Sequence, residues 1–120
     1  MPKLMVVEDD KLTLKAYEKL LSPYFEMIMC SSVEEYLRNL NDNKFDLFIV
    51  DISLKSDVDG LQLIRGLREK NDYKNTPVIV ITAHAFIRDE RNAYDAGATA
   101  FIRKPIDNKL LLNSLSRYAN

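Results

Sequence analysis

The chain is 120 residues long, 47% hydrophobic and 29% charged, which fits one ordinary globular domain and excludes a disordered tail. Its 17 Lys and Arg against 18 Asp and Glu leave a net charge of −1, which argues against a general nucleic-acid binder. One cysteine, Cys30, and one histidine, His84, exclude an internal disulfide, a cysteine zinc site and a multi-histidine metal site.

Lys3–Val7 reads as a first strand, stopped by the acidic triplet Glu8-Asp9-Asp10, with Asp10 placed to cap the helix that follows. From Lys11 to Leu21, Leu12, Ala16 and Leu20 and the pair Tyr17 and Leu21 fall at helical spacing, and Ser22-Pro23 ends the helix. Phe25–Cys30 is a second strand. Ser32 and Glu35 form a capping-box pattern over a helix from Val33 to Leu40, and Asn41-Asp42-Asn43 reads as a turn. Phe45–Val50 is a third strand running into Asp51.

A polar loop from Ser53 to Asp59 leads to Gly60, where Leu61, Ile64 and Leu67 begin a third helix. Val78–Ile81, an uninterrupted branched run after Pro77, marks a strand covered on both faces. A fourth helix spans Phe86 to Ala96, with Gly97 placed to end it in a left-handed conformation. Ala98–Ile102 is a fifth strand. Asp107 can cap a last helix whose inner stripe is Leu110, Leu111, Ser114, Leu115 and Tyr118. No apolar run approaches the length of a membrane span, and the N-terminus lacks the apolar core of a secretion signal. The expectation is one cytoplasmic domain over residues 1–120 with no membrane contact.

Five repeats of strand then helix imply an α/β fold with a parallel sheet, because each helix is a right-handed crossover back to the same sheet. In open sheets of this kind ligands bind beyond the carboxyl ends of the strands. Those ends carry Glu8, Asp9 and Asp10, then Asp51, Thr82 and Lys104. Converging carboxylates repel, so one must protonate or a cation must neutralise them. Oxygen donors without thiol or imidazole suit a hard cation such as Mg²⁺, which commonly shares its shell with a phosphate. Lys104 and Thr82 would offer that phosphate a charge and a donor, and a carboxylate can attack phosphorus to give an acyl phosphate.

At this point the chain resembles a response-regulator receiver domain, the phosphoacceptor module of two-component signalling. The matching residues are Val6-Val7-Glu8-Asp9, Phe48-Ile49-Val50-Asp51, Asp59-Gly60, Ile81-Thr82-Ala83, Ala96-Gly97-Ala98 and Phe101-Ile102-Arg103-Lys104-Pro105. They run through nearly the whole chain. The resemblance implies a flavodoxin-like (βα)5 fold with strand order 2-1-3-4-5 and five helices distributed over both faces.

The same resemblance implies roles. Asp51 would be the phosphorylated nucleophile. Asp9, Asp51 and the Ser53 backbone carbonyl would bind Mg²⁺ directly, and Glu8 through water. Lys104 would pair with the phosphoryl group and Thr82 would hydrogen-bond to it. Phe101 would be the aromatic that follows Thr82, and the Lys104–Pro105 peptide bond would be cis. Ser53 and His84 would flank the phosphoryl group and tune its lifetime. The implied partners are a sensor histidine kinase or phosphotransfer protein and a downstream protein bound by the face of the fourth helix, fifth strand and fifth helix.

Three alternatives stand beside this reading. A Mg²⁺-dependent phosphohydrolase with an aspartyl-phosphate intermediate commonly carries an acid where this chain has Ser53. A flavin- or nucleotide-binding protein needs a hydroxyl- or glycine-rich loop after the first strand, where this chain has carboxylates. The chain could also be a receiver cut from a multidomain transcription factor or hybrid kinase. The chain departs from the family pattern at Glu8, at Lys55 and in the length of the Lys55–Asp59 loop.

Overall fold

The computed structural model describes residues 1–54, 59–83 and 86–119. The elements alternate as expected: β1 (Lys3–Val7), α1 (Lys11–Leu21), β2 (Glu26–Cys30), α2 (Val33–Asp42) and β3 (Leu47–Val50). Then come α3 (Gly60–Arg68), a 3₁₀ turn (Asn71–Tyr73), β4 (Val78–Thr82), α4 (Ile87–Ala96), β5 (Ala100–Arg103) and α5 (Asn108–Tyr118). The five strands form one sheet in the order β2-β1-β3-β4-β5, and every neighbouring pair is parallel. β1 therefore lies between β2 and β3, so the chain winds outward in opposite directions from the middle of the sheet. That reversal opens a crevice at the carboxyl ends of β1 and β3.

Alternation along the strands divides the core in two. Leu4, Val6, Leu47, Ile49, Ile79 and Ile81 pack with Tyr17 and Leu21 of α1 and Leu111 and Leu115 of α5. Met5, Val7, Phe48, Val50, Val78 and Val80 pack on the other face with side chains of α2, α3 and α4. Every residue of β3 and β4 is buried. That explains their unbroken apolar sequence, and each fully buried Ile or Val contributes about 1.5–3 kcal/mol.

Helix ends follow local chemistry. The Asp10 carboxylate accepts from the Thr13 N–H, and the Ser32 hydroxyl accepts from the Glu35 N–H. Gly97 ends α4 at φ 118°, in the left-handed region that a Cβ disfavours. Glu35 completes no reciprocal box; its carboxylate accepts from the Ser31 hydroxyl at 2.8 Å.

The expected turn at Asn41-Asp42 is instead the last part of α2. The Asn43 amide donates to the carbonyl of Asn39, an acceptor that the helix end would leave open, and the Asn39 amide adds a bond to the Glu35 carbonyl. Leu12 and Leu110 lie outside, at 77% and 53% exposure, so the buried stripe of α1 is Tyr17 and Leu21 and that of α5 is Leu111 and Leu115. In α3 the buried set is Leu63, Ile64 and Leu67, with Leu61 only partly covered. β5 starts two residues later than expected, because Ala98 and Thr99 are used to close α4 and to bond β4.

Candidate functional site

Three side chains at the carboxyl edge are fixed by backbone hydrogen bonds that continue just past the strands. The Glu8 N–H donates to the Cys30 carbonyl at 3.0 Å, and the Asp51 N–H to the Val7 carbonyl at 3.1 Å. The Lys104 N–H donates to the Thr82 carbonyl at 2.9 Å, ahead of the cis Lys104–Pro105 bond. Each residue is thus tied to a neighbouring strand, although none belongs to one. Residues separated by as many as 96 positions in sequence consequently meet at one point.

The meeting point is ionic. The Lys104 ammonium lies 2.5 Å from Glu8 Oε1 and 3.1 Å from Asp51 Oδ2. The other Glu8 oxygen accepts from the Asp10 N–H at 3.1 Å. Asp51 Oδ1 accepts from both the N–H and the hydroxyl of Ser53, at 2.9 and 2.7 Å. Glu8 is 1% exposed and Asp51 4%, whereas Asp9 and Ser53 are half-buried. Thr82 is fully buried at the end of β4, and Phe101 is half-buried in β5 against the face shared with α3 and α4. Strand alternation sends Thr82 and Phe101 to this same face.

Gly60 closes the cluster from the side of α3. A Cβ there would stand 2.6 Å from the Asp51 carbonyl oxygen and 2.6 Å from the Ile52 Cα. Asp59 caps α3 in a reciprocal box with Gln62, which fixes how close the helix end comes. On the α1 side, Tyr17, Thr13 and Ala83 join Lys104 and Pro105 around a groove of about 410 Å³. Burial pushes the Tyr17 phenol up to about 12, so it stays neutral.

Burial penalises both acids, but the two respond differently. At Asp51 it is outweighed by the Ser53 N–H and hydroxyl and by Lys104, so the carboxyl is held below its ordinary value. At Glu8 burial and the Asp51 charge prevail over the bonds from Lys104 and Asp10, and the carboxyl is raised. Burial also opposes the Lys104 charge, yet the two carboxylates override it and hold the ammonium firmly protonated. Asp51 is therefore an ionised carboxylate at neutral pH.

Among the described residues two buried carboxylates share one ammonium, so the acids of the cluster outnumber their cation, and the half-buried Asp9 follows Glu8 in sequence. Among the described residues no three acid, cysteine or histidine side chains form a ready-made metal cage. The donors are all oxygen and partly open to solvent. Such a set suits a hard divalent ion that keeps several of its waters.

The structure brings Glu8, Asp51, Ser53 and Lys104 into direct contact, with Thr82 tied in through its carbonyl. His84 and residues 55–58 of the atypical loop lie outside the described residues. Sequence reasoning did not anticipate the direct Glu8–Lys104 pair or the contact of Gly60 with the Asp51 backbone. The Asp59-Gly60 dipeptide was the available signal for the second, since a glycine opening a helix suggests a close approach.

A family model for the response regulator receiver domain matches residues 4–116. The polar-differentiation response regulator DivK of Brucella anthropi is 32% identical over 120 residues, which covers 98% of this chain and 97% of that protein. The signal transduction histidine-protein kinase BarA of Escherichia coli is 30% identical over 116 residues. That match covers 96% of this chain but 12% of BarA. A solved receiver domain of a Pseudomonas aeruginosa sensor histidine kinase superposes with a TM-score of 0.87 at 24% identity, covering 98% of this chain and 97% of that one. That structure has a magnesium ion coordinated in its active site cleft.

Proposed function

The chain belongs to the response regulator receiver domain family, a family of signalling domains that work with histidine kinases and downstream targets, and we propose on this basis that Asp51 is its phosphoacceptor. The Glu8–Lys104–Asp51 cluster carries the proposal. It supplies an ionised, immobilised carboxylate with a cation at its shoulder.

A phosphohistidine on a partner kinase or phosphotransfer protein presents its phosphorus to an Asp51 oxygen. The new P–O bond forms as the P–N bond breaks, and the imidazole leaves with its electron pair and takes up a proton. The product is an aspartyl phosphate. Water later cleaves it, returning the carboxylate and inorganic phosphate. Asp9, Asp51 and the Ser53 carbonyl would hold a Mg²⁺ ion, with Glu8 reaching it through water, and the ion would neutralise charge on the phosphoryl oxygens. Lys104 leaves its carboxylates to meet the added charge, and the Thr82 hydroxyl donates to a phosphoryl oxygen. Phe101, on the same face as Thr82, turns inward as Thr82 moves. That remodels the face of α4, β5 and α5 for a downstream protein.

Ser53 bonds the oxygen of Asp51 that Lys104 does not, which supports its role, with His84, in setting how long the phosphoryl group persists. Among the described residues no helix is long and apolar enough to cross a membrane. We assign the domain to the cytoplasm, where its phosphodonor would present phosphohistidine.

Acetyl phosphate labelling, read by intact mass and peptide mapping, tests the reading. One phosphoryl group should appear on Asp51 only with Mg²⁺, and Asp51→Asn or chelation should abolish it. Ser53→Asn and His84→Ala should each change the rate at which the label decays. Efficient labelling of the Asn variant at another residue, or labelling indifferent to Mg²⁺, would overturn the assignment.

A further inference from the structure

Glu8 makes the shorter of the two contacts to Lys104, 2.5 Å against 3.1 Å for Asp51. Its carboxylate is also the better anchored. The Glu8 N–H is tied to Cys30, Oε2 is held by the Asp10 N–H, and the residue is 1% exposed, so Oε1 is presented to the ammonium in one orientation. Asp51 is held from the other side, by Ser53 through Oδ1. An aspartate at position 8 would be shorter by one C–C bond of about 1.5 Å. From the same backbone it would fall short of the ammonium and leave only the longer contact to Asp51.

We infer that Glu8 is a positioning residue for Lys104, and that the length of its side chain holds the ammonium toward β1, so that the Asp51 oxygen left clear of Ser53 has only the longer of the two contacts. This deepens the phosphoacceptor reading by giving Glu8 a duty separate from any ion. Glu8 keeps the lysine close to the nucleophile without letting it become that oxygen's main counter-ion. The lysine stays available for an incoming phosphoryl group, and the Asp51 oxygen stays available to attack.

The test uses the protein without divalent ions or phosphodonor, so it is independent of whether Asp51 is the acceptor. Lys104→Met is made in the parent, Glu8→Gln, Glu8→Asp and Asp51→Asn backgrounds, and the unfolding equilibrium is measured in urea. In the parent, losing the ammonium leaves two buried carboxylates uncompensated and should raise the unfolding equilibrium constant at least ten-fold. That effect should shrink at least five-fold in both Glu8 backgrounds and by less in Asp51→Asn. The largest shrinkage in Asp51→Asn, or an undiminished effect in Glu8→Asp, would overturn the inference. Should Lys104→Met fail to fold in the parent, nitrogen NMR of the Lys104 ammonium serves instead. The signal should be protected from exchange in the parent and lost in Glu8→Asp, and protection kept in Glu8→Asp would overturn the inference. Labelling of the parent with acetyl phosphate separates the two claims. An unlabelled Asp51 counts against the phosphoacceptor reading and leaves the lysine anchoring to stand or fall on the unfolding data.

Discussion

The two ends of the sheet use half-buried cations in opposite ways. At the amino edge, Arg68 at the end of α3 donates to the carbonyls of Gly97, Tyr73 and Thr76 at 2.9, 2.7 and 2.6 Å, with Thr99 Oγ1 at 3.4 Å. One guanidinium thereby ties together the 3₁₀ turn, the approach to β4 and the α4–β5 turn. Its acceptors are neutral, and burial lowers its pKa without removing the charge. At the carboxyl edge Lys104 faces two carboxylates and, among the described residues, is outnumbered by them. The first arrangement satisfies donors and closes loops. The second gathers charge around one ammonium, where the proposed phosphoryl transfer would use it. On that proposal stability and function are separated along the strand axis.

Substituting Arg68 tests that separation most severely. Arg68→Ala removes several charge-assisted bonds and leaves their carbonyls to find water, so it should cost about 3 kcal/mol in urea unfolding. The site lies at the far ends of the strands, so the labelling rate of Asp51 in the folded protein should be unchanged. A large fall in labelling rate with little loss of stability would show that the edges are coupled.

How legible each edge was in the sequence follows from the same contrast. In a parallel sheet every residue after a strand emerges at one edge, so Glu8, Asp51 and Lys104 could be brought together from strand positions alone. Their exact pairing could not, because it depends on side-chain reach at fixed backbone positions. Arg68 gave no signal: its partners are backbone carbonyls, which every residue has. The helices show a related limit. Leu12 and Ala16 repeat at helical spacing as well as Tyr17 and Leu21 do, and spacing identifies a stripe without saying which stripe meets the sheet. The last part of α2 reads as a turn because Asn and Asp often make turns, but here the Asn43 amide covers a carbonyl of the helix end.

Gly60 sharpens the comparison from the functional side. In Gly60→Ala the new methyl meets backbone, the Asp51 carbonyl oxygen and the Ile52 Cα, neither of which can swing aside. The expected loss is about 2 kcal/mol, in the range for overpacking a filled site. Unlike Arg68→Ala, this change should also slow labelling of Asp51, because relief of the clash moves the backbone that carries the Asp51 side chain. Full labelling activity in a destabilised Gly60→Ala protein would mean that the Asp51 loop tolerates displacement.

Acid produces the smallest effect, and it should arise at the carboxyl edge. Glu8 is raised above its ordinary value of 4.5, chiefly by burial, so the folded protein takes up this proton before the unfolded chain does. As pH falls through the folded Glu8 value toward 4.5, stability should therefore rise. Asp51 has the opposite sign. Burial alone would raise it, but Ser53 and Lys104 hold it below its ordinary 3.8. Its contribution is complete above 3.8 and is lost as pH falls through the lower, folded value. Urea unfolding across this range should trace a shallow rise and then a fall. Glu8→Gln should erase the rise and Asp51→Asn should reduce the fall, whereas Arg68→Ala should lower the whole curve without changing its shape, because the guanidinium does not titrate there.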